Sequence, residues 1–195
     1  MATARLPFFT IGHSTLTLDA FVQALQHAGV TRVVDVRSIT RSRTNPQFNE
    51  DSLPASLAAH GIGYQHIANL GGRRGRQRNV APALDAFWQN ASFHNYADWA
   101  QQPAFIQGLN ELIAAGRRER CAIMCAESLW WRCHRRIITD HLLARGETVR
   151  HIIGQHIDDA SLTPGAVVHP GGAVTYPAQP QSAADAPASA GESPP

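Results

Sequence analysis

Apolar residues along this chain come in short continuous runs that alternate with amphipathic stretches. Phe8-Phe9-Thr10-Ile11, ending at Gly12, reads as a buried strand. Thr17 stands where a helix N-cap is wanted, Leu18, Phe21, Val22 and Leu25 share one helical face, and Gly29 closes the turn. Val30–Val36 reads as a second buried strand, and Ser38–Asn49 carries no apolar period. A short helix is predicted over Asp51–His60, stopped by Gly61. A third strand follows over Ile62–Ile67, running into Asn69-Leu70-Gly71-Gly72. The aromatics of Ala83–Trp99 predict a helical cover, with breaks that the pattern does not place. Pro103 opens a clearer helix, with an apolar stripe through Phe105, Ile106, Leu109, Leu112 and Ile113, closed by Gly116. Cys121–Cys125 reads as a fourth strand, Cys133–Arg145 as a helix ahead of Gly146, and Thr148–Ile153 as a last strand.

Such alternation predicts an α/β domain: a mostly parallel central sheet of about five strands with helices on both faces. The domain is expected to occupy residues 1–157. From Asp158 the composition changes, and residues 158–195 hold 7 of the 12 prolines among many Ala, Ser and Gly. This stretch is expected to be a flexible, largely disordered tail, at least from Gln179 on.

Charge sharpens that division. All 17 basic residues are Arg, and the last of them is Arg150. The formal net charge of +2 therefore hides a body of +6, with 17 arginines against 11 acidic residues up to position 157, and an acidic tail. A chain without Lys excludes Schiff-base and P-loop lysine chemistry. No apolar stretch is long enough to span a membrane, so no membrane partner is expected. Met1–Thr10 does not read as a signal peptide. Three Cys within thirteen residues argue for reduced thiols and a cytoplasmic setting rather than a disulfide scaffold.

In open α/β sheets, ligands bind beyond the carboxyl ends of the strands. His13 and Ser14 follow the first strand, Asp35, Arg37 and Arg43 the second, Gly71 and Gly72 the third, and Cys125 and Glu127 the fourth. Cys133-His134-Arg135 then opens a helix. A thiol, a carboxylate and an imidazole within ten residues at such an edge point to a functional cleft. Arg37, Arg41 and Arg43 in one loop, and Arg73, Arg74, Arg76 and Arg78 in another, would form a positive rim for phosphate, nucleotide or nucleic acid. No helix-turn-helix, zinc-finger or RNA-binding sheet motif accompanies them.

Taken together, Thr10-Ile11-Gly12-His13-Ser14, Asp35-Val36-Arg37 with Ser42-Arg43, Gly61-Ile62-x-Tyr64, Leu70-Gly71-Gly72, Met124-Cys125-Ala126-Glu127, Cys133-His134-Arg135 and His151-Ile152 resemble the bacterial and archaeal family called domain of unknown function 488. The resemblance runs from about Phe8 to Ile153, and it implies an α/β fold and a cytoplasmic setting without bringing a reaction. The spacer Ser128-Leu129-Trp130-Trp131-Arg132 departs from the short polar one usual in the family. Its two Trp are either a stacking surface for a base or ordinary packing.

Three readings of the thiols stay open. Cys133, before a helix N-terminus and between Arg132 and Arg135, has the setting of a nucleophilic thiolate, with Cys125 as the other candidate. The strand end at Cys125 and the Asp35-x-Arg37 pair loosely resemble rhodaneses and Cys-phosphatases. However, six residues without a Gly between Cys125 and Arg132 do not supply their amide cradle. A metal site is not expected, because helical neighbours such as Cys133 and His134 would point about 100° apart. Buried structural thiols are the third reading.

The leading expectation is an anionic small molecule or nucleotide held by Ser14, Asp35, Arg37, Arg43, Tyr64, Gly71, Gly72 and Arg135. His13, Glu127 and His134 would move protons, and Cys125 or Cys133 would supply the thiol. No motif names a cofactor. The alternatives are a non-catalytic nucleic-acid- or partner-binding module built on the Arg loops, and a thiol redox sensor.

Overall fold

Side chains alternate across each strand of the sheet, and that alternation divides the apolar core in two. The computed structural model describes residues 5–179. Its six-stranded sheet contains β1 (Phe8–Gly12), β2 (Arg32–Asp35), β3 (Gly63–His66), β4 (Cys121–Cys125), β5 (Val149–Ile153) and β6 (His156–Asp159). They lie in the order β3-β2-β4-β1-β5-β6, all parallel except β6, which returns antiparallel on β5. Phe9, Ile11, Val33, Ala122 and Met124 face α1 (Leu18–His27) and α2 (Leu53–Ala58). Phe8, Val34, Cys121, Ile123 and Val149 face α3 (Ala91–Trp99), α4 (Pro103–Gly116) and α5 (Arg135–Leu143). The mostly parallel sheet with helices on both faces is therefore present, with one strand more than the pattern indicated.

Local chemistry accounts for where the elements begin. Thr17 caps α1, its hydroxyl accepting from the Ala20 amide at 3.2 Å. The cover expected over 83–99 is interrupted: a 3-10 turn spans Pro82–Asp85, and α3 starts only after Asn90, whose Oδ1 accepts from the Ser92 amide at 2.9 Å. The interruption has a cause in the C-terminal segment, because the Phe87 amide donates to the Tyr176 carbonyl rather than within a helix. Helix α5 begins at Arg135, two residues later than the apolar spacing indicated, since Cys133 is extended at φ −129° and ψ 149°.

The body also extends past residue 157. Strand β6 crosses that expected boundary, and a small hairpin, β7 (Val167–Val168) with β8 (Val174–Thr175), follows it. Tyr176 is fully buried against Trp88. Its amide donates to Asp85 Oδ1 at 3.0 Å and its hydroxyl to Asp140 Oδ2 at 2.8 Å, on α5. Composition marked residues 158–179 as tail, but three prolines in this stretch do not prevent docking when one large aromatic fills the core. Residues 180–195, where the remainder of the expected tail falls, lie outside the described residues.

Two predictions follow from this docking. Tyr176→Ala is expected to lower unfolding free energy by about 3–5 kcal/mol through loss of a buried aromatic, and Tyr176→Phe by about 1–2 kcal/mol through the unanswered Asp140 carboxyl. Urea titration checks both, and an unchanged midpoint for the Ala variant would contradict the docking. Asp85 is buried beside Asp98, and burial pushes its carboxyl up to about 6, with Asp98 adding to the rise. One oxygen of each carboxyl is buried without another partner, and His94 stands 3.6 Å from Asp98. The folded form thus holds a proton that the unfolded chain releases near pH 4, so stability should fall between about pH 4 and 6, by on the order of 2–3 kcal/mol. Asp85→Asn keeps the acceptor for Tyr176 and should flatten that fall in a pH series of thermal melts.

Candidate functional site

Beyond the carboxyl ends of β2 and β4 lies a cavity of about 320 Å³. Cys125, Cys133, His134 and Tyr96 line it, Gly72 and Ser38 come from neighbouring loops, and Arg73, Arg132 and Ile39 stand at its exposed side. The strand alternation that puts Cys121 and Ile123 on the α3–α5 face carries Cys125 to that face as well. A short 3-10 turn, Trp130–Arg132, then returns the chain so that Cys133 precedes α5 at the same place. One donor atom from each of Cys125, Cys133 and His134 lies within 4.8 Å of the others.

The backbone around this cluster is tightly packed, and two glycines permit it. A Cβ on Gly12 would stand 1.9 Å from the Glu127 carbonyl oxygen. Without one, the chain after β1 continues along the chain after β4, His13 and Ser14 amides donating to the Cys125 and Ala126 carbonyls at 3.0 and 2.9 Å. A Cβ on Gly72 would stand 2.3 Å from His134 Nδ1. The sequence reading took Gly71 and Gly72 as ligand-binding; Gly72 lines the cavity, and its bare Cα lets the imidazole lie where it does.

The hydrogen bonds of His134 set its chemistry. Its Nε2 lies 2.9 Å from the Val36 carbonyl, which can only accept, so Nε2 carries a proton. Nδ1 faces Cys133 Sγ at 3.5 Å. On the other side, Arg135 Nε donates to the same sulfur at 3.3 Å. Arg135 is fully buried, and its Nη2 donates to the main-chain carbonyls of Glu127 and Ser128. Among the described residues no carboxylate forms an ion pair with it. An arginine does not shed its proton, and a buried charge is costly unless answered. The Cys133 sulfur is the remaining group in contact that can turn negative.

Burial alone would raise the Cys133 thiol, but hydrogen bonds from Cys125 and His134 and the charge of Arg135 together hold it well below its usual value. Cys125 moves the other way, raised by its hydrogen bond to Cys133 and by burial. The contacts from His134 and Arg135 fall on the Cys133 sulfur, so of the two thiols it is Cys133 at which a negative charge is favoured. Cys121 sits apart in β4, fully buried, with burial pushing its thiol up to about 12. It is a core residue.

Other sequence candidates are committed to neighbours or lie away from the cavity, and Arg37 lines it with its guanidinium already paired. Arg37 makes a bidentate pair with Asp35 (Nε to Oδ1 at 2.9 Å, Nη2 to Oδ2 at 2.6 Å) and donates to the Phe48 carbonyl at 2.7 Å. Tyr64 donates to the same carboxylate at 2.8 Å. These three side chains therefore brace the turn after β2, and the Arg37 guanidinium is committed to Asp35. His13 is stacked on Phe48, donates from Nδ1 to the Ser14 carbonyl at 3.0 Å and accepts from Arg37. Burial, with the Arg37 charge added, pushes its ring down to about 4, so it is a neutral brace that does not line the cavity. Ser14 holds the left-handed turn at φ 43° beside it and is also away from the cavity. Arg43 is exposed and outside the lining. Glu127 lines the cavity, yet Arg135 takes its carbonyl, and its carboxylate accepts from the Leu129 amide at 3.3 Å.

Arg74 lies over Trp99 and donates to the Gly71 and Ala68 carbonyls, so the exposed cations lining the cavity are Arg73 and Arg132. Arg73 belongs to one of the two Arg loops of the expected rim, whereas Arg132 lies in the Trp-containing spacer and in neither of them. Of the two Trp in the spacer, Trp130 stacks on His151 at 4.0 Å, and Trp131 is exposed.

The cluster could in principle take a thiophilic cation. The angular objection does not hold, because Cys133 is extended rather than helical and its sulfur converges with the His134 ring. Charge disfavours a divalent one. A dication on two thiolates beside Arg135 leaves a buried net positive charge, whereas one thiolate beside Arg135 is neutral.

No curated protein and no solved structure matches the chain. The model of one family does, over residues 17–142, a span that holds Cys125, Cys133, His134 and Arg135, and leaves His13 and His151 outside. The chain belongs to the family described as Domain of unknown function DUF488.

Proposed function

We propose that this protein is a thiol-dependent enzyme acting on a small anionic molecule, with Cys133 as the attacking thiolate. The observation that carries this reading is the fully buried Arg135, which has no carboxylate partner among the described residues and donates to Cys133 Sγ at 3.3 Å. His134 serves as the proton-exchanging group, held in one tautomer by the Val36 carbonyl. Arg73 and Arg132 attract the anion at the mouth, while Ile39 and Phe93 offer apolar surface to the remainder of the molecule. A phosphorylated small molecule or nucleotide fits that description in charge and in mixed character. Reduced, free thiols suit a cytoplasmic setting. The neutral floor supports a small-molecule site over a nucleic-acid module, for which exposed Arg76 and Arg78 would remain available at one side only.

Alkylation tests the thiolate. Between pH 6 and 8 an ordinary thiol reacts about 100-fold faster at the upper end, in proportion to its thiolate fraction. Cys133 is expected to react with iodoacetamide at a rate constant within about twofold across that range, read by mass spectrometry of the labelled peptide. An ordinary slope would overturn the reading. The rim is tested separately, because Arg73→Ala with Arg132→Ala touches only exposed side chains. Wild type should favour an N-carboxybutyl iodoacetamide, whose carboxylate can stay at the mouth while its reactive carbon reaches the floor, over iodoacetamide relative to a free model thiol, and the double variant should lose roughly fivefold or more of that preference. Loss of preference that leaves the pH profile unchanged would separate recognition from reactivity.

A further inference from the structure

Resting on the reading of Cys133 as the attacking thiolate, we propose that Cys125 and Cys133 form a dithiol–disulfide couple that exchanges with small acidic disulfides. Three observations place the second thiol in that role. The two sulfurs are within 4.8 Å in a shared cavity, so bond formation at about 2.05 Å needs only side-chain rotation and a small shift of the seven-residue connection. That connection runs through exposed residues, Ala126, Glu127 and Ser128 among them, and is free of regular α or β structure. Cys121 cannot substitute for Cys125, since four residues along β4 place it roughly 13 Å away.

The order of events is set by charge. The Cys133 thiolate attacks one sulfur of the disulfide RSSR; that S–S bond breaks, RS⁻ departs, and Cys133 carries the mixed disulfide. Neutralising Cys133 removes the charge that kept the proton on Cys125, and the unanswered Arg135 now favours a thiolate at Cys125 instead. Cys125 gives up its proton and attacks Cys133 Sγ, the mixed S–S bond breaks, and the second R group leaves as RSH. In sum, one thiolate and one thiol of the protein become a disulfide, while RSSR takes up two electrons and one proton to give RS⁻ and RSH. The low basicity of Cys133 makes it a good leaving sulfur, so the protein disulfide is easily reopened by a free thiol and the cycle can turn over. Carboxylates on R would meet Arg73 and Arg132 while the central S–S bond reaches the floor.

Oxidised glutathione is a suitable probe, as an acidic disulfide, with cystamine as its cationic counterpart. The full-length protein mixed with oxidised glutathione at neutral pH should release two thiols per chain and lose two hydrogens in mass, with peptide mapping linking positions 125 and 133. Cys125→Ser should stop at one glutathionyl group on Cys133 and release one thiol. Cys133→Ser should react on the order of 100-fold more slowly, since Cys125 alone is not activated. Cystamine should react at least about tenfold more slowly than oxidised glutathione, a gap that closes in the Arg73→Ala/Arg132→Ala variant. A wild-type chain that stops at the same glutathionyl adduct as Cys125→Ser, or one whose disulfide includes Cys121, overturns the couple. Equal rates for the two probes overturn the acidic preference. If Cys133 alkylates with a flat pH profile yet no internal disulfide forms, the couple fails while the thiolate reading stands; an ordinary alkylation profile removes both.

Discussion

The contact between the Arg135 guanidinium and the Cys133 sulfur governs how the surrounding chain is arranged. Placing an arginine at full burial costs several kcal/mol unless a counter-charge and hydrogen-bond acceptors come with it. The acceptors here are the Glu127 and Ser128 carbonyls, which turn inward from the loop after β4. That turn brings the loop against Gly12, where no side chain could be accommodated. On the proposed reading the counter-charge is the Cys133 sulfur. Each neighbouring feature then follows as support: the His134 ring is held by Val36 and Gly72, and the residue at the end of β4 is another thiol, positioned to take the proton Cys133 gives up.

A second buried arginine shows how differently the same group behaves when a carboxylate is supplied. Arg37 is 4% exposed, and Asp35, two residues before it, meets it through two bonds. Tyr64 and His13 complete that cluster, with the Tyr64 hydroxyl held protonated by burial and by Asp35. The pair is self-sufficient and rigid, and it fixes the turn from which Val36 offers its carbonyl to His134. So the Asp-x-Arg signature shapes the site from one residue away, as a brace. The Cys-His-Arg signature supplies its reactive face.

Much of this was legible in the chain because it depends on local period. The strand runs at Phe8, Val33 and Cys121 and the helix stripe of α4 each read correctly, since burial on both sheet faces leaves an unmistakable apolar string. The reactive cluster was also legible, as residue types gathered at one sheet edge. What could not be read was the partner of each charged group. Asp35 and Glu127 were both plausible mates for the nearby arginines, and only the backbone path shows that Asp35 takes Arg37 while Arg135 receives carbonyls and a sulfur. The role of Tyr176 was hidden for a similar reason. A single aromatic in a Pro- and Gly-rich stretch has no period, yet it closes the core against Asp85, Asp140 and Trp88. The breaks in the cover over 83–99 could not be placed for the same cause, because the interruption is imposed by that distant segment.

The distribution of charge also constrains what the cavity can hold. With one thiolate and one guanidinium, the floor around Cys133 is close to neutral, whereas the mouth carries Arg73 and Arg132. A thiolate is repelled by an anion at close range, by about 4 kcal/mol at 4 Å for an effective dielectric near 20. An anionic substrate can therefore react only if its charge stays at the mouth while its electrophilic atom reaches the floor. That excludes a compact anion whose charge and reacting atom coincide, and favours an elongated molecule with the two ends separated. The apolar strip of Ile39 and Phe93 along the cavity suits the part between them. On the proposed reading, attraction at one end and reactivity at the other are thus held by different arginines, an exposed pair and a buried one, which an elongated anion can meet together.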